Sequence, residues 1–294
     1  MTVEDGRMNT IELAGGDHAV LALHGLYGNP LELRYVGRQL HRAGYTVVIP
    51  LIAGYGYARG SAGNIKTATW QHWYQEVERQ FDALKKRYKT VSVIGLCIGA
   101  VLALRLAEQR SSGIAALGLF APTLAYDGWS IPRYRFLLPL VYYTPFRFTY
   151  AYQERFPYGL KNEVLRNRIA QEMRKSDASE AGASALPAEG IFQAHRLIRE
   201  VRRHLGDVRT PTLIVHAAED DVASRKSADL VEAKIGAQCR KKVILQNSYH
   251  MITLDNDKEI VAREIIDFLA IQRFKADARP SPVSTVQRLR FMAG

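Results

Sequence analysis

The feature that most constrains the fold of this chain is a repeated alternation of short apolar runs with segments of helical periodicity. The apolar runs lie at 19–23, 45–50, 90–95, 114–120, 212–217 and 241–246. Helical patterns separate or follow them, near 33–43, 70–88, 98–110, 224–236 and 257–271. Strands that alternate with helices are joined by crossovers and form a mostly parallel sheet, and strands that are apolar throughout are covered on both faces. The pattern therefore predicts an α/β fold, with a mostly parallel central sheet flanked by helices.

The interval from about 124 to 205 breaks this alternation. It opens with the aromatic and basic stretch YRFLLPLVYYTPFRFTYAYQERF and then becomes helical and polar. We interpret 124–205 as a helical cap inserted over the top of the sheet, which divides the core into 1–123 and 206–272. The segment 273–294 has two prolines, several basic residues and no periodicity, and is predicted to be a flexible basic tail.

The two cysteines, Cys97 and Cys239, form neither a disulfide framework nor a metal-ligand spacing. Free thiols favour a reducing compartment. The first residues carry two acids and no apolar segment, so a secretory leader is not expected. The longest apolar stretch, Val91–Leu104, is too short to span a membrane. These features predict a cytoplasmic protein without a transmembrane segment.

A formal charge of +11 favours anionic partners, which include nucleic acid, a membrane surface and a phosphate-bearing substrate. No nucleic-acid-binding motif is present, so a nucleic-acid partner is not expected. The stretch GYGYARG at 54–60 has glycines spaced one residue too far apart for a dinucleotide loop. We therefore expect no nucleotide cofactor and no metal, while peripheral contact with a membrane surface stays open.

The sequence GLCIG at 95–99 places Cys97 between an apolar run and a helical segment. A nucleophile on a sharp strand-to-helix turn needs small neighbours, and Gly95 and Gly99 provide them. The following helix directs its free amides and partial positive charge at the thiol, which favours the thiolate. The alternative is a small buried residue in an apolar segment; the strand–turn–helix context favours the nucleophile.

A thiolate nucleophile needs a base and an acid that orients it. His250 follows the last apolar run, and Glu219, Asp220 and Asp221 follow the run before it. The order along the chain, cysteine, then acid, then histidine, is that of enzymes whose nucleophile lies on a sharp strand-to-helix turn, the nucleophile elbow. We favour Asp220 as the acid that fixes the tautomer of the imidazole, with Asp221 as the alternative. His24 and His216 also end apolar runs, but a lone histidine is usually structural.

The stretch HGLYGNP at 24–30 follows the first apolar run, and its glycines allow the backbone to turn and present an amide. In elbow enzymes an amide of this loop and the amide after the nucleophile stabilise the oxyanion. The candidate donors are the backbone N–H groups of Leu26 and Ile98. A glycine-rich turn without a ligand is the alternative.

With these motifs in place, the chain resembles the α/β-hydrolase superfamily, and within it bacterial carboxylesterases and monoacylglycerol-lipase-like enzymes. The resemblance covers about 18–125 and 208–271, and its motifs are LHGLYGN, VGRQLHRAGYTVVIPLIAGYG, VIGLCIGA, HAAEDDVAS and SYHMITLD. It implies Cys97 as nucleophile, Asp220 as acid, His250 as base, and oxyanion amides at Leu26 and Ile98. The insertion lies where the family places its cap. The departure is the cysteine, because these esterases normally carry serine; cysteine there is similar to dienelactone hydrolases and polyhydroxyalkanoate synthases.

A thiol changes the expected substrate. A thiolate leaves a tetrahedral intermediate more readily than an alkoxide, because a thiol is the stronger acid. Our leading hypothesis is therefore a thioesterase or acyltransferase that forms an acyl-cysteine from a thioester or activated ester, with acyl-CoA or acyl-carrier protein as a possible donor. The first alternative is a carboxylesterase or lipase-type ester hydrolase. The second is a non-catalytic module that binds an acyl ligand. The sequence does not reveal the oligomeric state.

Overall fold

The computed structural model describes residues 10–56, 67–132, 136–175 and 178–277. The first half of the chain alternates strands with helices. In order these are β1 (Ile11–Leu13), β2 (His18–Leu23), α1 (Arg34–Arg42), β3 (Thr46–Ile49), α2 (Trp70–Arg87), β4 (Thr90–Leu96), α3 (Ile98–Arg110) and β5 (Leu117–Phe120).

The middle of the chain forms short strands and helices outside the main sheet. They are α4 (Leu138–Tyr142), β6 (Ala151–Gln153), α5 (Glu163–Lys175), β7 (Ala178–Ser179), β8 (Gly182–Ala183), β9 (Ala185–Pro187) and α6 (Ala188–His204). Strand β6 pairs with β9, and β7 pairs with β8, both antiparallel. The chain then returns to the main sheet through β10 (Thr212–Ala217), α7 (Lys226–Lys234), β11 (Arg240–Leu245) and α8 (Lys258–Asp277).

The central sheet has seven strands in the order β1-β3-β2-β4-β5-β10-β11. Every neighbouring pair is parallel except β1 with β3 at the edge. The predicted fold class, a mostly parallel sheet between helices, is confirmed. Strand β1 was not predicted, because three residues are too few to show a periodicity.

Apolar side chains cover both faces of the sheet. Along β2, Leu21 and Leu23 join the apolar cluster that contains α2 and α3, while Val20 and Ala22 join the cluster that contains α1 and α8. Successive side chains of a strand point to opposite faces, so a strand covered on both sides must be apolar at every position. All six residues of β2 are buried.

Two helices lie close to the boundaries that the sequence predicts. Helix α6 lies inside the predicted insertion, yet Leu197 and Val201 pack in the same apolar cluster as α3. Helix α8 continues to Asp277, beyond the predicted end of the core at 272, and 278–294 lie outside the described residues. The division into core, cap and tail stays a prediction.

Parallel strands bring their carboxyl ends to one edge of the sheet. Cys97 follows β4, the HGLYGNP loop follows β2, Asp220 follows β10, and the loop with His250 follows β11. The topology alone therefore places the predicted site residues at one edge. Among the described helices, none is both long enough and apolar enough to cross a lipid bilayer.

Candidate active site

Cys97 occupies a strained turn between β4 and α3. Its backbone has φ 58° and ψ −121°, a conformation that residues other than glycine rarely adopt. Two hydrogen bonds hold the turn: the Cys97 N–H donates to the Phe120 carbonyl at 3.0 Å, and its carbonyl accepts from the Ala100 N–H at 3.1 Å. The thiol is thereby presented at the N-terminus of α3.

Steric contacts require glycine on both sides of this turn. A Cβ at Gly95 would collide with the backbone carbonyl of Gly99, and a Cβ at Gly99 would collide with the carbonyls of Leu23 and His24. Backbone atoms within a sheet and a helix cannot move away as a flexible side chain does. The G-x-C-x-G spacing is therefore a packing requirement of this turn.

His250 and Asp220 form a buried hydrogen-bonded pair. The His250 Nδ1 lies 2.8 Å from Asp220 Oδ2 and 3.0 Å from Oδ1. Asp220 Oδ1 also accepts the N–H groups of Val222 and Ala223, each at 2.8 Å. A carboxylate held in this way fixes the ring orientation and places the proton on Nδ1.

The charges of the pair support each other. Burial favours the neutral imidazole, but the Asp220 carboxylate and the Cys97 thiol together raise the pKa of His250 well above its ordinary value. Burial also opposes ionisation of Asp220, yet His250 outweighs it and the pKa of Asp220 is lowered. The arrangement favours an imidazolium beside a carboxylate.

The second nitrogen of His250, Nε2, takes no part in the pairing with Asp220. Cys97 acts on the ring both as a charge and as a hydrogen-bonding group. Nε2 is buried and makes no hydrogen bond of good geometry to any described residue. Such contacts are often loose before a substrate binds. In the imidazolium form favoured here Nε2 already carries a proton, which it can give up and take back.

Asp221, the alternative acid, does not contact the imidazole. Its Oδ1 accepts the backbone N–H of His250 at 3.2 Å, and burial raises its pKa. The structure therefore brings Asp220 to the ring and Asp221 to the backbone behind it.

The two predicted oxyanion donors lie among amides that are already used. The N–H of Gly25 donates to Glu32 Oε2 at 2.7 Å, and the N–H of Tyr27 donates to the Tyr55 carbonyl at 3.0 Å. A Cβ on Gly25 would lie 3.5 Å from the Cβ of Cys97, so the loop runs beside the cysteine. Among the described residues, the N–H groups of Leu26 and Ile98 make no backbone hydrogen bond outside the helices and strands. Their role as oxyanion donors stays a prediction.

The other histidines near the sheet edge have structural contacts. The His24 Nδ1 contacts the Gly25 carbonyl at 2.9 Å, and burial lowers the pKa of His24 to about 4. His216 Nε2 lies 2.9 Å from the Ala223 carbonyl and 3.5 Å from Asp220. Neither ring competes with His250 as the base.

Three further polar groups at the site were not predicted. The Thr123 hydroxyl donates to the Cys97 sulfur at 3.4 Å. Glu32 and Glu154 are carboxyl groups whose pKa burial raises to about 7, and both interact with His250. None of the three belongs to a motif, so no spacing in the sequence distinguishes it from a solvated side chain.

Within the described residues, no three histidine, cysteine or acidic side chains are grouped so that they could hold a metal ion. The glycine-rich stretch at 54–60, which we do not expect to bind a nucleotide, lies partly outside the described residues.

Comparison with known proteins identifies the family. The model of the family described as "Serine aminopeptidase, S33" matches residues 16–257. A thermostable monoacylglycerol lipase of Bacillus sp. (strain H-257) is 27% identical over 262 residues, which cover 87% of this chain and 91% of that protein. A carboxylesterase of Bacillus subtilis (strain 168) is 25% identical over 256 residues, which cover 87% and 93%.

Solved structures show the same fold. A structure reported for LipS and LipT, two metagenome-derived lipolytic enzymes, has a TM-score of 0.75 at 23% identity and covers 90% of this chain and 97% of its own. The monoacylglycerol lipase of Paleococcus ferrophilus has a TM-score of 0.73 at 14% identity, with coverage of 90% and 98%. Given the family match over most of its length, the seven-stranded sheet and the elbow, the chain belongs to the serine aminopeptidase S33 family of α/β hydrolases.

Proposed function

We propose that this protein is a carboxylic ester hydrolase that acts through Cys97, with His250 as the base and Asp220 as the group that orients it. The observation that supports this most directly is the buried His250–Asp220 pair beside a thiol on the strained turn at the head of α3. The matched lipase and carboxylesterase support ester hydrolysis as the reaction class.

In the proposed mechanism the Cys97 thiolate attacks the ester carbonyl, and the oxygen that gains the negative charge meets the N–H groups of Leu26 and Ile98. The intermediate expels the alkoxide, which takes a proton from His250 Nε2. This leaves an acyl-cysteine and an alcohol. A water molecule then gives its proton to His250 and attacks the acyl carbon, which releases the carboxylic acid and the thiolate.

The Cys97 thiol is also compatible with a second reaction. Thioester cleavage or acyl transfer, our leading hypothesis from sequence, starts from the same acyl-cysteine. The relatives favour the first alternative, ester hydrolysis, over that hypothesis. What favours the thioester reaction is the sulfur itself, because a thiolate and a thioester's leaving group are balanced while an alkoxide leaves less readily.

A buried carboxyl group beside the site indicates which alcohol part of the substrate to test first. Glu154, at the end of β6, interacts with His250 and Asp221, and burial raises its pKa to about 7. A carboxyl group that is partly neutral can donate and accept hydrogen bonds, which suits hydroxyl groups better than phosphates. An ester of a small polyol, such as a monoacylglycerol, is therefore the first substrate to test, before acyl-CoA or an acyl-carrier protein.

The test compares the two cysteines. Wild type, Cys97→Ala and Cys239→Ala are assayed on a monoacylglycerol, a p-nitrophenyl ester and an acyl-CoA. Intact-protein mass spectrometry then looks for the acyl adduct. We expect Cys97→Ala to lose both turnover and adduct, and Cys239→Ala to keep both, since Cys239 contacts Gln272 and precedes β11, at the opposite end of that strand from the His250 loop. Full ester turnover in Cys97→Ala would reject the proposal, and turnover of acyl-CoA alone would favour the second candidate.

A further inference from the structure

Glu32 lies behind the loop that carries the Leu26 amide, and its carboxylate is enclosed. The residue is 2% exposed, and its Oε2 accepts the N–H of Gly25 at 2.7 Å. A Cβ at Gly28 would collide with the carboxylate itself. The loop therefore wraps around this carboxyl group, and only glycine at 28 permits it.

Two of the hydrogen bonds of the loop lie on either side of Leu26. On one side Gly25 is held by Glu32, and on the other the Tyr27 N–H is held by the Tyr55 carbonyl at 3.0 Å. The peptide plane that carries the Leu26 N–H lies between these fixed amides. The Gly25 carbonyl, which belongs to that same plane, accepts the Gly28 N–H at 3.0 Å and contacts His24 Nδ1 at 2.9 Å. Glu32 is therefore one of two side chains that fix the direction of the plane, and it acts through the amide that precedes it.

The hairpin formed by β7 and β8, in the predicted cap, covers the side of the Glu32 carboxyl group that faces away from Gly25. A Cβ at Gly182 would lie 3.4 Å from Glu32 Oε1, and the Ala183 N–H donates to the Tyr27 carbonyl at 3.0 Å. The Asn29 side-chain amide donates to the Ser179 carbonyl at 2.9 Å. These contacts exclude water from Glu32 and tie the same loop to the cap.

The charged groups that face Glu32 come from the active site. Burial raises its pKa to about 7, while the amides of Gly25 and Asn29 and the charge of His250 oppose that rise. Tyr55 also faces it, since Glu32 contributes to the raised pKa of Tyr55. The neighbouring Arg34 pairs instead with Glu180 at 3.1 Å, and no described lysine or arginine forms an ion pair with Glu32.

We propose that Glu32 is a positioning residue of the reaction: it orients the Leu26 amide toward the oxyanion and, when it ionises, weakens that stabilisation by placing a negative charge behind the loop. The inference rests on the proposed function, because it assumes that the Leu26 amide receives the oxyanion. A fixed N–H donor stabilises the oxyanion only when it points at it. A small rotation of the peptide plane therefore reduces the rate.

The test uses Glu32→Gln and Glu32→Ala, with Glu108→Gln as the matched control. Glu108 is another buried carboxyl whose pKa is raised to about 7, but it pairs with Arg105 on α3 away from the site. Glutamine keeps an acceptor for the Gly25 N–H and alanine does not. We expect Glu32→Ala to lower kcat at least about tenfold with little change in KM, and Glu32→Gln to restore most of it.

The pH dependence provides a readout that a structural role would not change. From about pH 6 to about pH 8 wild-type kcat should fall by about threefold relative to Glu32→Gln, because only the wild type acquires the buried charge. The ratio of wild type to Glu108→Gln should stay constant. A ratio of wild type to Glu32→Gln that does not change with pH would overturn the electrostatic part, and equal activities of Glu32→Ala and wild type would overturn the positioning part.

Alkylation of Cys97 by iodoacetamide separates this inference from the proposed function. That reaction needs the thiolate but forms no oxyanion, so Glu32→Ala should react within about twofold of wild type while its ester turnover is low. Equal losses of alkylation and turnover would mean that Glu32 supports the thiol, and the inference would fail. If Cys97→Ala itself keeps full turnover, the proposed function fails first, whatever the Glu32 variants do.

Discussion

At the scale of single residues, the site combines the Cys97 thiol, which we propose as the nucleophile, with hydrogen-bonding partners that a hydroxyl would also use. The Thr123 hydroxyl donates to the sulfur, and the His250–Asp220 pair supplies the proton path. Cys97, Asp220 and His250 could be predicted to lie at the carboxyl ends of strands, because strand ends can be read from apolar runs. Glu32 could not be found in this way, because the role proposed for it depends on enclosure by Gly28 and Gly182, and enclosure has no signature in a linear sequence.

Replacing the sulfur by oxygen tests the leaving-group argument. In Cys97→Ser the nucleophile no longer leaves more readily than the alcohol of an alkyl ester. We expect the ratio of alkyl-ester to thioester kcat/KM to rise by about tenfold, which corresponds to about 1.4 kcal/mol in relative barrier height. The measurement is steady-state turnover of an ester and a thioester with the same acyl chain. An unchanged ratio would show that departure of the alcohol does not limit the rate.

Replacing the acid tests the His250–Asp220 pair by its effect on stability. The pKa of Asp220 is lowered from 3.8, so its contribution is present above that value and is lost as the pH falls through the folded-state pKa. The pKa of His250 is raised well above 6.5, so its contribution is full below 6.5 and is lost as the pH rises through the folded-state pKa.

The stability advantage of wild type over Asp220→Asn should therefore be largest between these two values and shrink on either side. Denaturant titrations at a series of pH values measure it. Asp229→Asn is the control, since Asp229 pairs with Lys242 on the exposed surface and its replacement should change stability little. A difference that is the same at every pH would contradict the charged pair.

At the scale of elements, the long strands were predictable and the short ones were not. Strand β10 was predicted with the observed bounds, because a strand covered on both faces shows a continuous apolar run. The two-residue strands β7 and β8 contain Ala, Ser and Gly, which carry no periodicity. They matter nevertheless, because this hairpin packs against the loop behind the site.

The elbow also makes a prediction about how β4 and α3 meet. A methyl group at Gly99 would collide with the carbonyls of Leu23 and His24, so Gly99→Ala must push α3 away from β2. We expect a loss of about 2–3 kcal/mol in the free energy of unfolding and a displaced thiol. Gly113→Ala is the control, because its Cβ would meet only the Phe81 ring at 3.5 Å. Chemical denaturation compares the two, and equal stabilities would contradict the packing argument.

At the scale of the whole molecule, the chain is basic and one of its segments exposes many aromatic side chains. The chain carries a formal charge of +11, and the segment between β5 and α5 exposes large apolar side chains: Phe136 at 73%, Tyr143 at 77%, Phe146 at 70%, Phe148 at 66% and Phe156 at 66%. Arginines stack on some of these rings, with Arg147 at 4.5 Å from the Phe148 ring and Arg166 at 4.5 Å from the Phe156 ring. Aromatic rings next to cations are typical of surfaces that meet anionic lipid.

We therefore expect this surface to bind vesicles that contain anionic lipid, and to do so less at high salt, because counter-ions screen the basic charge. The double variant Phe146→Ala/Phe148→Ala should lose most of that binding. The control is Phe274→Ala, since Phe274 is 75% exposed but lies on α8, near the other end of the chain. Co-sedimentation with anionic and with neutral vesicles measures both effects. Equal binding of the two variants would assign the attraction to net charge alone, and no binding of wild type to either vesicle would leave the aromatic surface without a role at a membrane.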